Sequence, residues 1–222
     1  MKKFVYLISP RKIGNHFYDD LKKVLAFKNV KFFQLRLKNH KKNEIIKIAN
    51  NVKKITKRYG VKLIINDSAK IAKIVNADGC HLGQKDLSQF DKGSKSRKLN
   101  TIKYFSARLY LNWPKQKKII GVTCHNSKLL AKIADENKVD YLAFGSFAKS
   151  KLKPKAKKAD LNILKWAKKN IKKPIVAIGG VNNSNYKKLV NSGAKYIAIS
   201  SFIWDNPKLK PELAIRKFKW KY

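Results

Sequence analysis

The stretch IVAIGGVNNSNYKKLVNSGAKYIAISS, residues 175–201, holds one complete unit of strand, helix and strand. Ile175–Ile178 follows Pro174 and is continuously apolar, the pattern of a strand buried on both faces. Gly179 and Gly180 end it, residues 184–192 read as a short helix, and Tyr196–Ile199 resumes the apolar run. Two such strands joined through a helix are parallel neighbours in one sheet.

The same alternation extends toward both ends of the chain. Upstream, Phe4–Ile8, 30–37, 62–65, Gly79–Leu82, 119–122 and Tyr141–Phe144 are strand runs. Helices are predicted near 19–28, at 42–59, 68–76, 127–138 and 161–172, and a closing helix at 207–220. The 42–59 segment is the most explicit: Ile45, Ile48, Ala49, Val52, Ile55 and Tyr59 share one helical face, and Gly60 ends it. Eight strands alternating with helices in 222 residues predict one (β/α)8 TIM barrel domain spanning 1–222. A doubly wound open sheet is the structural alternative. Residues 87–117 are the least regular, and the basic run 149–158 around Pro154 reads as a loop.

Composition narrows the function classes. The chain carries 53 Lys plus Arg against 13 Asp plus Glu, a formal net charge of +40. Hydrophobic residues make up 44%, enough for a core and too many for a highly charged disordered chain. Six of the 53 basic residues are Arg, which leaves 47 Lys spread over almost every polar face. Nucleic-acid readers use Arg heavily and cluster their charge, so a dedicated nucleic-acid partner is not expected. No run approaches the roughly 18 apolar residues of a membrane span. Met1-Lys2-Lys3 before Phe4–Ile8 imitates a signal peptide, but five apolar residues are too few for its hydrophobic region. Two cysteines make no disulfide framework, which favours a reduced, cytoplasmic setting.

In a barrel of this kind the chemistry sits at the carboxyl ends of the strands. The second strand ends Gln34-Leu35-Arg36-Leu37-Lys38, with Gln34, Arg36 and Lys38 on one face. Two cations at a barrel mouth suit a phosphate, although Lys38 also reads as the first loop residue. The third strand ends Asn66-Asp67, and the fourth leads through Cys80-His81 to Asp86. Two carboxylates beside phosphate-binding cations suggest Mg2+. Asp67 also reads as an N-cap of the helix that follows. Gly179-Gly180 and Ser200-Ser201 end the seventh and eighth strands, where barrels commonly hold a phosphate; an ordinary glycine turn is the plain alternative. Cys80-His81 and Cys124-His125 are rejected as a zinc site, because adjacent strand residues point to opposite faces. The cysteines read as packing residues, His81 as a group in the mouth, and His125 as an acid/base or a loop residue.

These pieces together resemble the thiamine phosphate synthase family and its close relatives, the thiazole tautomerases. The resemblance rests on QLRLK at 34–38, ND at 66–67, DGCHLGQKD at 78–86, GVTCHN at 121–126, DYLAFG at 140–145 and AIGGV at 177–181. It implies a Mg2+-dependent transferase of thiamine biosynthesis. Such an enzyme joins hydroxymethylpyrimidine diphosphate to thiazole phosphate and releases pyrophosphate through a dissociative step. It implies Gln34 on the pyrimidine, Arg36, Lys38, Asn66 and Lys153 on the diphosphate, and Asp67 and Asp86 on the metal. It further implies Gly180, Ser200 and Ser201 on the thiazole phosphate, with Thr123 where the family usually has Ser. Arg36, Lys38, Thr123 and Lys153 are the expected catalytic group, and His81 and Ser150 join the substrate-binding set. The chain departs from the family's Thr-x-Thr-Lys loop, with Ser150-Lys151-Leu152-Lys153 in its place, and Ser146 stands where Pro is usual. Both carboxylates favour the synthase over a tautomerase using His125; a non-catalytic phosphate-ligand or nucleic-acid binder is the alternative of a different class. The expected partners are the two small-molecule substrates, and the resemblance leaves a homo-oligomer open.

Overall fold

A computed structural model of the chain describes residues 4–84, 117–137, 139–148 and 158–219. Eight parallel strands close into a barrel in sequence order: β1 Phe4–Ile8, β2 Val30–Leu35, β3 Lys62–Asn66, β4 Gly79–Leu82, β5 Ile119–His125, β6 Tyr141–Phe144, β7 Ile175–Ile178 and β8 Tyr196–Ile199. Ladder pairing between β1 and β8 completes the ring, with Tyr6 beside Ala198. The open doubly wound sheet is therefore excluded. Among the described residues the helices are α1 Phe17–Leu25, α2 Lys42–Arg58, α3 Ala69–Ile74, α4 Lys128–Glu136, α5 Leu161–Asn170, α6 Tyr186–Asn191, α7 Ser201–Trp204 and α8 Pro211–Ile215.

Period-two alternation sorts each strand into two layers. Val5, Leu7, Phe33, Leu35, Leu63, Ile65, Cys80, Leu82, Val122 and Cys124 pack outward against the helices. Tyr6, Ile8, Ile64, Tyr141, Ala143, Val176 and Ala198 fill the barrel interior, with Phe32, Ile119, Ile178 and Tyr196 against them. Most positions on both faces are packed, which is why the strands read as largely apolar runs. Helix starts follow local chemistry: Ser68 caps α3 by accepting from Ile71 N–H at 3.1 Å, and Ser127 caps α4 by accepting from Leu130 N–H at 3.2 Å. Asp160 caps α5 by accepting from Asn162 N–H at 2.7 Å.

The acids of two motifs fasten the amino ends of strands. Asp78 accepts from Leu63 N–H at 2.9 Å, and Asp140 accepts from Ile120 N–H at 2.8 Å. Each joins neighbouring strands at the face opposite the one where barrel chemistry occurs.

Two expectations need correction, and one element was missed. The closing helix at 207–220 shrinks to Pro211–Ile215, because Pro211 fixes its start and turns follow at Arg216 and Lys217. The four-residue α7 was not expected, since one turn is too short to show a period. The cap of α3 is Ser68, so the capping alternative for Asp67 is withdrawn.

Candidate active site

The carboxyl ends of β2 and β3 bring the predicted cations to a carboxylate. Lys38 Nζ lies 3.4 Å from Asp67 Oδ2, both side chains being partly exposed. Arg36 is more enclosed. Burial is the largest influence on its guanidinium and pushes its pKa down, Asp67 opposes this, and Arg11 adds to it. A guanidinium starts so high that it remains cationic at neutral pH. Asp67 itself adopts φ 65, and its N–H donates to the His81 carbonyl at 2.8 Å. That left-handed turn is tolerable for Asp. Asn66 stands beside His81 in the β3–β4 ladder. The result is a hard oxygen donor next to two cations, the donor type that suits a hard divalent ion beside a phosphate. The other expected ligand, Asp86, lies outside the described residues, as do Ser150, Leu152 and Lys153.

The rim at the ends of β7 and β8 is built from backbone. Gly179 and Gly180 have φ values of 97 and 65. A Cβ at Gly179 would also run into Ser146, so both backbone angle and space require glycine there. Asn185 Nδ2 donates to the Gly180 carbonyl at 2.8 Å and holds the turn. On the neighbouring strand end, Ser200 is buried and donates through Oγ to the Ser9 carbonyl at 3.0 Å, and Ser201 opens α7. Ser9 in turn accepts from Arg36 N–H through its Oγ at 2.9 Å. The end of β1 thus ties the cationic rim of β2 to the rim of β8.

The barrel interior also carries one polar line, which links residues of β2, β1, β6, β4 and β5. Gln34 Nε2 donates to Tyr6 Oη at 2.9 Å, and Tyr6 Oη lies 2.6 Å from Tyr141 Oη. Tyr141 Oη lies 2.9 Å from His81 Nδ1, and His81 Nε2 lies 2.9 Å from Thr123 Oγ1. Gln84 Nε2 steadies the strand below by donating to the Thr123 carbonyl at 2.7 Å. Gly121 makes this line possible: a Cβ there would occupy the Tyr141 ring. Burial pushes both phenols well above their ordinary pKa, so they stay protonated at neutral pH.

Cys80 and Cys124 pack outward while His81 points inward, as strand alternation requires. Burial pushes each thiol up to about 12, which makes them poor nucleophiles and poor metal ligands. His125 is exposed at the end of β5 with φ 53.

A family model described as thiamine monophosphate synthase matches residues 5–98 and 110–203. The chain belongs to that family. Among curated relatives, the thiamine-phosphate synthase of Pelagibacter ubique (strain HTCC1062) is 49% identical over 219 residues, 98% of this chain and 97% of that protein. The thiamine-phosphate synthase of Erythrobacter litoralis (strain HTCC2594) is 36% identical over 204 residues, 90% of this chain and 87% of that protein. The solved structure of thiamine phosphate pyrophosphorylase from Pyrococcus furiosus has a TM-score of 0.77 at 23% identity, covering 96% of this chain and 92% of that one. At that identity the likeness speaks for the fold.

For this member of the thiamine monophosphate synthase family, sequence reasoning missed Tyr6, Tyr141, Ser9, Asn185 and Gln84. The available signal was a phenol inside an otherwise apolar strand, at Tyr6 in FVYLI and Tyr141 in YLAF. A buried phenol needs a hydrogen-bond partner, which marks both as members of a polar set. No helix of the described residues is long and apolar enough to cross a membrane.

Proposed function

We propose that this protein transfers the hydroxymethylpyrimidine group from its diphosphate to the nitrogen of thiazole phosphate, giving thiamine phosphate and pyrophosphate in a Mg2+-dependent reaction. The observation that carries the reading is the meeting of Arg36, Lys38 and Asp67 at the ends of β2 and β3, on the same end of the barrel as the glycine turn Gly179-Gly180 and the Ser200-Ser201 strand end, with the Gln34–Thr123 line in the interior. Relatives bearing the synthase name over nearly the whole chain support it.

Arg36 and Lys38 receive the diphosphate, and their charge stabilises the oxygens as the carbon–oxygen bond breaks and its electron pair leaves with pyrophosphate. Asn66 orients the same group. Asp67, with Asp86, would hold Mg2+, which supplies further neutralisation of the departing diphosphate. Gln34 and Thr123 hold the pyrimidine in place while its methylene carbon is cationic. The backbone at Gly180, Ser200 and Ser201 seats the thiazole phosphate so that the ring nitrogen faces that carbon. The test is direct. With both precursors and Mg2+ the purified protein should form thiamine phosphate and pyrophosphate in equal amounts. Excess chelator should stop it, and Asp67→Asn should require more Mg2+ for half-maximal rate. Turnover that persists in chelator would remove the metal. Isomerisation of a thiazole carboxylate, without coupling, would replace the synthase with a tautomerase.

A further inference from the structure

The interior hydrogen bonds form a chain with a direction. An amide nitrogen can only donate, so Gln34 Nε2 gives its proton to Tyr6 Oη. Tyr6 is 1% exposed and has one proton of its own, which must find an acceptor or be left buried and unpaired. The acceptor beside it is Tyr141 Oη, 2.6 Å away. Tyr141 then gives its proton to His81 Nδ1, which fixes the Nε2–H tautomer, and that N–H donates to Thr123 Oγ1. Two groups remain at the ends for a ligand: the Gln34 Oε1 acceptor and the Thr123 hydroxyl proton. Turning the Gln34 amide over would reverse every link and exchange donor for acceptor at both ends.

We propose that Tyr6 and Tyr141 are positioning residues, which set through this chain the atoms that Gln34 and Thr123 present to the pyrimidine. The inference rests on the synthase reading for the identity of the ligand. In the direction described, Gln34 Oε1 accepts from the exocyclic amino group of an aminopyrimidine, and the Thr123 hydroxyl donates to a ring nitrogen. An oxo group in place of the amino group would meet the Gln34 oxygen as one acceptor against another. Neither tyrosine touches substrate in this scheme; both act through Gln34 and Thr123.

Two measurements test it. The first compares kcat/KM for the aminopyrimidine diphosphate with that for its oxo analogue. In Tyr141→Phe the ring packing is kept, but the Tyr6 proton loses its acceptor and turns to Gln34, whose amide flips to receive it. The preference for amino over oxo should fall about tenfold or more, the scale of one buried polar mismatch. KM for thiazole phosphate should stay within about twofold, which a general loosening of the barrel would not allow. Unchanged selectivity in Tyr141→Phe would overturn the proposal. The second is nitrogen NMR of the His81 ring in the free protein, which needs no activity. Wild type should show the Nε2–H tautomer. Gln34→Glu can only accept when ionised, at pH about 8, so it should reverse the chain and give Nδ1–H at His81. Adding Tyr6→Phe to Gln34→Glu should restore Nε2–H by cutting the chain between them. A tautomer indifferent to Gln34→Glu would overturn the chain. If wild type couples no precursors, the synthase reading fails, and the NMR result alone decides whether the tyrosines transmit orientation.

Discussion

Cys80 and Cys124 illustrate how one strand position decides a residue's chemistry. Each sits on the outward face of its strand, beside an inward residue that belongs to the polar line: His81 next to Cys80, Thr123 next to Cys124. Desolvation raises both thiols to about 12 in the folded state. In the unfolded chain they ionise near about 8.5. Above that pH the unfolded state loses these protons first and binds fewer than the native state, so the stability they contribute falls as pH rises. That contribution is fully present below the unfolded pKa and is lost as pH approaches the folded value. The slope is about 1.4 kcal/mol per pH unit per thiol. The Cys80→Ala/Cys124→Ala variant should therefore show a shallower loss of denaturant stability than wild type between pH about 9 and about 11. Comparing the two proteins cancels the groups that they share. Parallel curves would show that the thiols do not resist ionisation in the fold.

At the scale of elements, the barrel depends on which strand residues have no side chain. Gly121 lies in β5 directly beside Tyr141 in the ladder, and the Tyr141 ring crosses the space a side chain would take. Gly121→Ala should cost about 1–3 kcal/mol, the scale of overpacking a filled core, read from the denaturation midpoint. It should also displace Tyr141 and lower the amino-over-oxo selectivity, while Gly14→Ala, with open space around its Cβ, should change neither. Equal effects from the two substitutions would contradict this packing. The strands themselves were legible in the sequence because most of their positions are packed on both faces, and Arg36, Lys38 and Asp67 stood out because a charge ends an apolar run. The Tyr6–Tyr141–His81 connection was not legible. Alternation places each residue inward, but the distances across the interior follow from closure of the ring, which no local pattern encodes. The short α7 escaped for a different reason, having a single turn to show its period.

The whole molecule carries a charge of +40, and the proposed diphosphate rim adds Arg36 and Lys38 at its site; the two should act on different steps. Under the proposed function a long-range positive field would gather anionic substrates, whereas Arg36 and Lys38 would act at contact. Raising salt from about 0.05 to about 0.5 M shortens the screening length to a few Å. We expect kcat/KM for the phosphorylated substrates to fall several-fold over that range while kcat changes little; a flat kcat/KM would make the lysines a passive solvated surface. The central claim is that the diphosphate of one substrate is held and released at the β2–β3 rim. Arg36→Ala, assayed against each substrate in turn, tests it most directly. The predicted result is a loss of roughly 30- to 1000-fold in kcat/KM for the pyrimidine diphosphate, with KM for thiazole phosphate nearly unchanged, as for a charge-assisted contact that strengthens while the bond breaks. Unchanged kinetics for the diphosphate, or a loss that falls on thiazole phosphate instead, would contradict it.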